Sequence, residues 1–287
     1  MIFLGTGAAE LFPNPFCSCN TCKRARENAD PRDIRRRSAV LLDEQNLVDC
    51  GPDMLHACNQ FHCDLTKISN IFMTHLHSDH FSYESLEAIR RARNTAPHIR
   101  IFMASHTLDC LNRFRNDIEG LGYLTASKNF AALDTCCDLV PLEPYQTQVL
   151  TDMEVTLTLA RHAGLFDTEQ GSGYLFSKNG TTTFFSNDTG LLPEETIAYL
   201  KTKRIDTLII DGTFGAMQAD ASCRHMTIEH LFETFRMLDA QETLAPSSRI
   251  IVTHIAHKGE LLHAEYEAIL KAEYGDRICL AYDGMTL

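Results

Sequence analysis

The chain has 287 residues, 44% of them hydrophobic, enough for one large domain or two small ones with a sizeable core. Its formal net charge of −12, with no long basic run, disfavours broad nucleic-acid binding through a cationic face. No apolar stretch approaches the ~18–20 residues of a membrane span, and the start MIFLG lacks a basic preface, so neither a membrane partner nor an export signal is expected. A cytoplasmic location is the corresponding expectation.

In chain order, the first strand is expected over 1–5, followed by Gly5-Thr6-Gly7, read as a tight turn. A cysteine-rich loop follows at about 13–24. Arg35-Arg36-Arg37 reads as a solvated loop. Strands are expected at 38–43, 45–50 and 68–75, then a helix at 83–93, a strand at 99–104 and a helix at 105–118 with Ser105 as its N-cap. Further strands fall at 154–160, 173–177 and 181–188. The last third alternates: helix 193–203, strand 206–212, helix 227–239 capped by Thr227, strand 249–255, helix 262–273 and strand 277–282. Strand pairs early and strand–helix alternation late point to a mixed α/β protein with helices covering the sheets. No repeat, linker or shift in composition marks a boundary, so residues 1–287 are read as one domain.

The strand ends carry the chemistry. FMTHLHSDH leaves one strand with His75, His77, Asp79 and His80 inside six positions. Other strands finish on His162 in LARH, Asp188 in FFSNDTG, Asp211 in LIIDG and His254 in IIVTHIAH. A lone histidine is usually a surface or core residue. Neutral imidazoles and a carboxylate packed this closely instead suit Zn²⁺, Mn²⁺ or Fe²⁺. His75 and His77 point the same way from an extended segment, while Asp79 and His80 turn toward a neighbouring position, so one segment serves two adjacent metals.

THLHSDH resembles the signature of the metallo-β-lactamase superfamily, with Asp49 in VDCG before it and His162, Asp188 and His254 after it in the expected order. The resemblance spans nearly the whole chain. It implies an αββα sandwich of two mixed β-sheets flanked by helices, with metals at one edge. It also implies one cation on His75, His77 and His162, a second on Asp79, His80 and His254, and Asp188 bridging them. Asp49 has two readings, a partner of a metal ligand or a turn residue before Gly51-Pro52.

Eight of the eleven cysteines, Cys50, Cys58, Cys63, Cys110, Cys136, Cys137, Cys223 and Cys279, are scattered and read as small buried hydrophobes. Cys17, Cys19 and Cys22 form C-x-C-x-x-C, whose thiolates fill three corners of a tetrahedral Zn²⁺ site; the fourth ligand must come from elsewhere. This array after Gly-Thr-Gly resembles the PhnP group of cyclic-phosphate phosphodiesterases. The group's pattern implies His257 of THIAH as the fourth ligand of a structural zinc. PqqB-type proteins share a similar cysteine array.

The resemblance implies two active-site divalent metals, Zn or Mn with Fe as an alternative, and one structural Zn. A metal pair about 3.5–4 Å apart activates a shared water at neutral pH. The expected substrate is a small or cyclic phosphodiester such as a ribosyl 1,2-cyclic phosphate. His225 resembles the phosphate-contacting histidine of the phosphodiesterase branches; its other reading is a surface histidine at a helix start. Asp211 is expected to orient His225 or His254, and Asp79 is also a candidate catalytic carboxylate. Alternatives are an RNA 3′-processing endonuclease like tRNase Z, a non-catalytic PqqB-like accessory or carrier protein, and a lactonase. Nucleic acid is disfavoured as a partner and a homodimer is left open. His56, His62, His98, His106, His230 and His263 lack ligand spacing and are read as surface residues. Segments 105–137 and 163–173 look extended for the PhnP group and are expected to border the pocket.

Overall fold

The computed structural model describes residues 1–92, 97–120, 134–218 and 220–287. One sheet runs, in spatial order, β1 (Ile2–Gly5), β2 (Ala39–Asp43), β3 (Asn46–Val48), β4 (Asn70–Phe72), β5 (Ile99–Ala104) and β6 (Cys137–Leu142). The first two pairings are antiparallel and the remaining three parallel. The second sheet contains β7 (Thr147–Val149), β8 (Glu154–Ala163), β9 (Gln170–Lys178), β10 (Thr181–Ser186), β11 (Ile205–Asp211), β12 (Leu244–Thr253) and β13 (Ile278–Leu280) as sequential neighbours. It is antiparallel from β7 to β10 and parallel from β10 to β13.

Period-2 alternation explains the layering. In β11, Leu208 and Ile210 join the core beneath helices, while Ile209 joins the core between the sheets. In β4 and β5, Ile71 and Ile101 face outward and Phe72 and Phe102 inward, their rings stacked at 5.1 Å. Helices α2 (Met54–Gln60), α3 (Tyr83–Ala92) and α4 (Ser105–Gly120) contribute Met54, Leu86 and Leu111 to the outer core of the first sheet. Helices α5 (Glu194–Leu200), α6 (Ile228–Ala240) and α7 (His263–Tyr274) contribute Leu200, Phe235 and Leu270 to that of the second. The expected αββα sandwich is the observed architecture.

Two edge strands and two helices were not legible in the sequence. β6 contains Pro141, tolerated at a sheet edge because one side of the strand needs no ladder donor. β7 is three exposed residues. Helix α1 (Asn20–Glu27) sits in the cysteine loop and is capped by the Cys19 sulfur, which accepts from the Cys22 amide. α2 follows Gly51-Pro52 without a side-chain cap, because Asp53 is engaged by Arg37. Thr227 caps α6 as expected, its hydroxyl accepting from the His230 amide. Ser105 does not cap α4; it is the first helical residue and its hydroxyl donates to Glu143.

Several polar residues read as surface features instead hold the layers together. Gly7 makes bridges to both Arg37 and Ile255, so Gly5-Thr6-Gly7 is a close backbone crossing, not a tight turn. A Cβ on Gly5 would lie 2.0 Å from the Arg37 carbonyl oxygen. Thr6 donates from its amide and hydroxyl to Asp283, which also accepts from the Arg36 amide. Arg35 is buried, donating to Thr6, the Ala281 carbonyl and the Nδ1 of His263. Arg37 forks onto Asp53. His230 and His263 are buried, contrary to the surface reading, and His98 and His106 are partly buried, while His56 and His62 are exposed. Of the scattered cysteines, five are buried and Cys63, Cys223 and Cys279 partly so.

Burial first, and the Arg35 guanidinium second, push the His263 imidazole down to about 3, so it is neutral in the fold. The unfolded imidazole takes a proton below about pH 6.5. Stability from this group is therefore full above pH 6.5 and drains as pH falls toward 3. Urea unfolding of His263→Asn is expected to show a flatter pH dependence than wild type between pH 6.5 and 5, by up to about 1.4 kcal/mol per pH unit. Parallel profiles would contradict it.

Candidate metal centre

β8 and β10 run in the same direction, each antiparallel to β9, and β10, β11 and β12 are parallel. Their C-terminal ends therefore share one edge of the sheet. His162 lies in the last turnout of β8, Asp188 just past β10, Asp211 closes β11 and His254 follows β12. The segment after β4 brings His75, His77, Asp79 and His80 to the same place. Asp188 and His254 hold φ of 55° and 63°, and Asp49 holds 62°. This left-handed backbone is uncommon outside glycine, and three cases at one site mark strand exits bent to aim side chains inward.

Among the described residues, three groups of ligand-type side chains share Asp188: two match the expected metal sites, and the third, Asp188, Asp211, His225 and His254, adjoins them. His75, His77, His162 and Asp188 bring one ligand atom each to within 4.8 Å of one another, and so do Asp79, His80, Asp188 and His254. Asp188 belongs to both, with Oδ2 3.2 Å from His75 Nε2 and 3.1 Å from His80 Nε2, and Oδ1 3.2 Å from His162 Nδ1. The Nε2 atoms of His80 and His254 and Oδ1 of Asp188 are buried without a hydrogen-bond partner among the described residues. Buried lone pairs of this kind cost free energy unless something binds them. Divalent cations fit this donor set of imidazoles and carboxylates.

The electrostatics agree. Burial would raise the Asp188 carboxyl, but His254, His162 and His225 around it hold it well below the usual carboxylate range. Burial pushes His75 down to about 3. Burial also opposes charge on His254, yet Asp188 and Asp211 raise it to about 10. The sites thus surround anionic oxygens with nitrogen donors that a cation would deprotonate.

The supporting contacts were partly foreseen. Asp49 Oδ2 is 2.7 Å from His80 Nδ1, and its Oδ1 accepts from the amide and hydroxyl of Thr74. Its partner role to His80 is the reading that the structure favours. Asp211 Oδ2 lies 3.2 Å from His225 Nδ1 and 3.4 Å from His254 Nδ1 and accepts from Thr213, so it touches both histidines. Glu169 was missed. Its buried carboxylate accepts from the Leu76 amide, between His75 and His77, and from the Leu165 amide. Its only sequence signal was an acidic residue shortly after His162. Residues 163–169 do border the site, through this anchor; for segment 105–137, residues 121–133 lie outside the described residues.

The cysteine array gathers with His257. Cys17, Cys19, Cys22 and His257 place their ligand atoms within 4.8 Å of one another, as a tetrahedral zinc requires. His257 Nδ1 lies 3.6 Å from Cys17 Sγ and 3.5 Å from Cys19 Sγ, while Nε2 is 2.6 Å from Glu10. Glu10 was also missed; it turns Nδ1 toward the sulfurs and pairs with Lys258. Burial would raise the Cys19 thiol, but the Cys22 amide and His257 bring it to about 6, which favours a thiolate.

A family model described as a β-lactamase superfamily domain matches residues 45–255. The chain belongs to the metallo-β-lactamase superfamily, whose members are mostly metal-dependent hydrolases. Among solved structures, the chain is similar to a diphosphatase from the PhnP family, with 20% identity, 100% of this chain and 96% of that one covered, and TM-score 0.71. It is also similar to zinc-bound PqqB from Methylobacterium extorquens, with 16% identity, coverage of 100% and 98%, and TM-score 0.70. The short form of human tRNase Z follows with 18% identity, coverage of 99% and 96%, and TM-score 0.61. At these identities the likeness carries the fold. No curated protein matches the chain. Among the described residues, no helix is long and apolar enough to cross a membrane.

Two expectations follow from the ligand sets. Metal content by mass spectrometry should fall in His77→Ala with the fold retained, whereas Cys19→Ala should lose one zinc and unfold at lower temperature; unchanged metal content in either variant contradicts its assignment. Asp49→Asn, which weakens the grip on His80, should reduce affinity for the second ion by about 10–100-fold in a chelator competition.

Proposed function

We propose that this superfamily member is a phosphodiesterase acting on small or cyclic phosphodiesters. The observation that carries the reading is His225. It belongs to neither the His75–His77–His162 set nor the Asp79–His80–His254 set, yet its Nδ1 lies 3.1 Å from Asp188 and 3.2 Å from Asp211. It lines a cavity of about 200 Å³ together with His77, Asp79, His162 and His254.

Cations held by the two sets would supply Lewis-acid charge and an activated water at neutral pH. The chain's own residues then have separable tasks. Asp211 engages Nδ1 of His225, with Asp188 3.1 Å away, leaving Nε2 for a substrate oxygen in the cavity. Phe214 packs edge-on against the ring at 4.8 Å and limits its rotation. Burial alone would lower the His225 imidazole, but the two carboxylates outweigh it and raise it above the ordinary value. A protonated His225, steadied by Asp211, would offer its Nε2–H to a non-bridging phosphoryl oxygen or to the departing alkoxide. Phosphoryl transfer concentrates negative charge on those oxygens, and donors already in place stabilise it without reorganisation.

Likeness to a PhnP-family diphosphatase supports phosphorus chemistry. The net charge of −12 counts against an RNA-processing role. Retention of both ligand sets counts against a carrier without turnover.

Hydrolysis of bis(p-nitrophenyl) phosphate by the metal-loaded protein is the direct assay, beside a panel of lactones. His225→Ala should lower kcat by about 10²–10⁴-fold with metal content unchanged. Turnover of lactones alone, or full phosphodiesterase rates in His225→Ala, would overturn the reading.

A further inference from the structure

The 200 Å³ cavity over the two ligand sets accommodates a phosphoryl group. A second cavity of about 600 Å³ opens beside it, and Ala9, His77 and Asp79 line both. Whatever the phosphoryl group carries therefore has a neighbouring space already formed, within the usual volume range of small-molecule sites.

The second cavity is walled largely by carbon. Phe81 and Tyr83 come from the entry to α3, Leu111 and Phe114 from α4, and Leu165 from the loop after His162. Leu165 is 50% exposed and adds to the apolar lining. Its loop is held by Glu169, the residue that also holds the Leu76 amide between His75 and His77. The apolar wall and the metal-binding segment are thus pinned to each other by one carboxylate. Arg37 also lines the cavity, but Asp53 takes its Nε and Nη2, so its charge is already balanced. Selection in this cavity is for apolar surface and ring faces, not for a further anionic group.

We propose that the second cavity receives an aromatic or heteroaromatic ring carried on one ester arm of the substrate. The preferred substrates are then aryl or nucleoside phosphodiesters, not diesters with bare alkyl or sugar arms. This narrows the phosphodiesterase reading and rests on it for the reaction, though not for the binding. Phe81, Tyr83, Phe114 and Leu165 are the specificity-determining residues.

Binding separates the two. Calorimetry on the metal-loaded protein should show phenylphosphonate bound at least about tenfold more tightly than methylphosphonate, the scale expected for burying a ring. Leu165→Ala and Tyr83→Ala should each shrink that ratio by about threefold or more. With the ring on the arm retained by phosphorus, the ratio of kcat/KM between bis(p-nitrophenyl) phosphate, whose retained arm is aryl, and methyl p-nitrophenyl phosphate, whose retained arm is methyl, should move in parallel. Equal affinity for the two phosphonates in wild type, or a ratio untouched in both variants, overturns the cavity's assignment. If the aryl preference in binding persists while neither ester is hydrolysed, the assignment stands and the phosphodiesterase reading falls.

Discussion

The carboxylate of Asp188 is the point on which the rest of the site depends. It is almost fully buried, it contacts His75, His80 and His162 within 3.2 Å, and it belongs to both ligand sets. An anion so placed is tolerable only among positive charges or strong donors. The fold provides them by ending parallel strands at one edge and bending the chain into left-handed backbone at Asp188 and His254. Cations complete the balance, and the orphaned nitrogens of His80 and His254 show where they would bind.

A second constraint ties the two ends of the chain to that edge. THIAH places His254 in the Asp188 cluster and His257 beside three cysteines from the N-terminal loop. Glu10 and Lys258, which pair beside His257, also line the cavity at the Asp188 cluster. Thr6, Arg36 and Asp283 join the first and last strands nearby through short hydrogen bonds. The cysteine cluster therefore adjoins one wall of the cavity at the Asp188 cluster without touching the ligand sets.

Much of this was legible before any coordinates. Nearly every long strand and the five helices α3 to α7 declare themselves by period. The ligand positions stand out because costly polar residues recur at the ends of apolar runs. What escaped is instructive. α1 and α2 lie in turn-rich sequence and are held by a sulfur cap or by docking against Leu4 and Leu41. β6 and β7 are edge strands whose polar or proline-bearing sequences carry little pattern. Arg35 and His263 read as solvated, and are buried where Arg35 donates to Thr6, the Ala281 carbonyl and His263.

The sequence by itself determined the layer type, the superfamily and which histidines, aspartates and cysteines stand at ligand positions, since those depend on local period and residue chemistry. Only the tertiary structure decided that Asp188 is shared, that Asp49 holds His80, that Glu10 and Glu169 steady the two metal-binding segments, and that a carbon-walled cavity adjoins the centre. Each of these is a meeting of segments distant along the chain. Such a meeting is set by how sheets pack and where strands exit, and no single stretch of sequence records it.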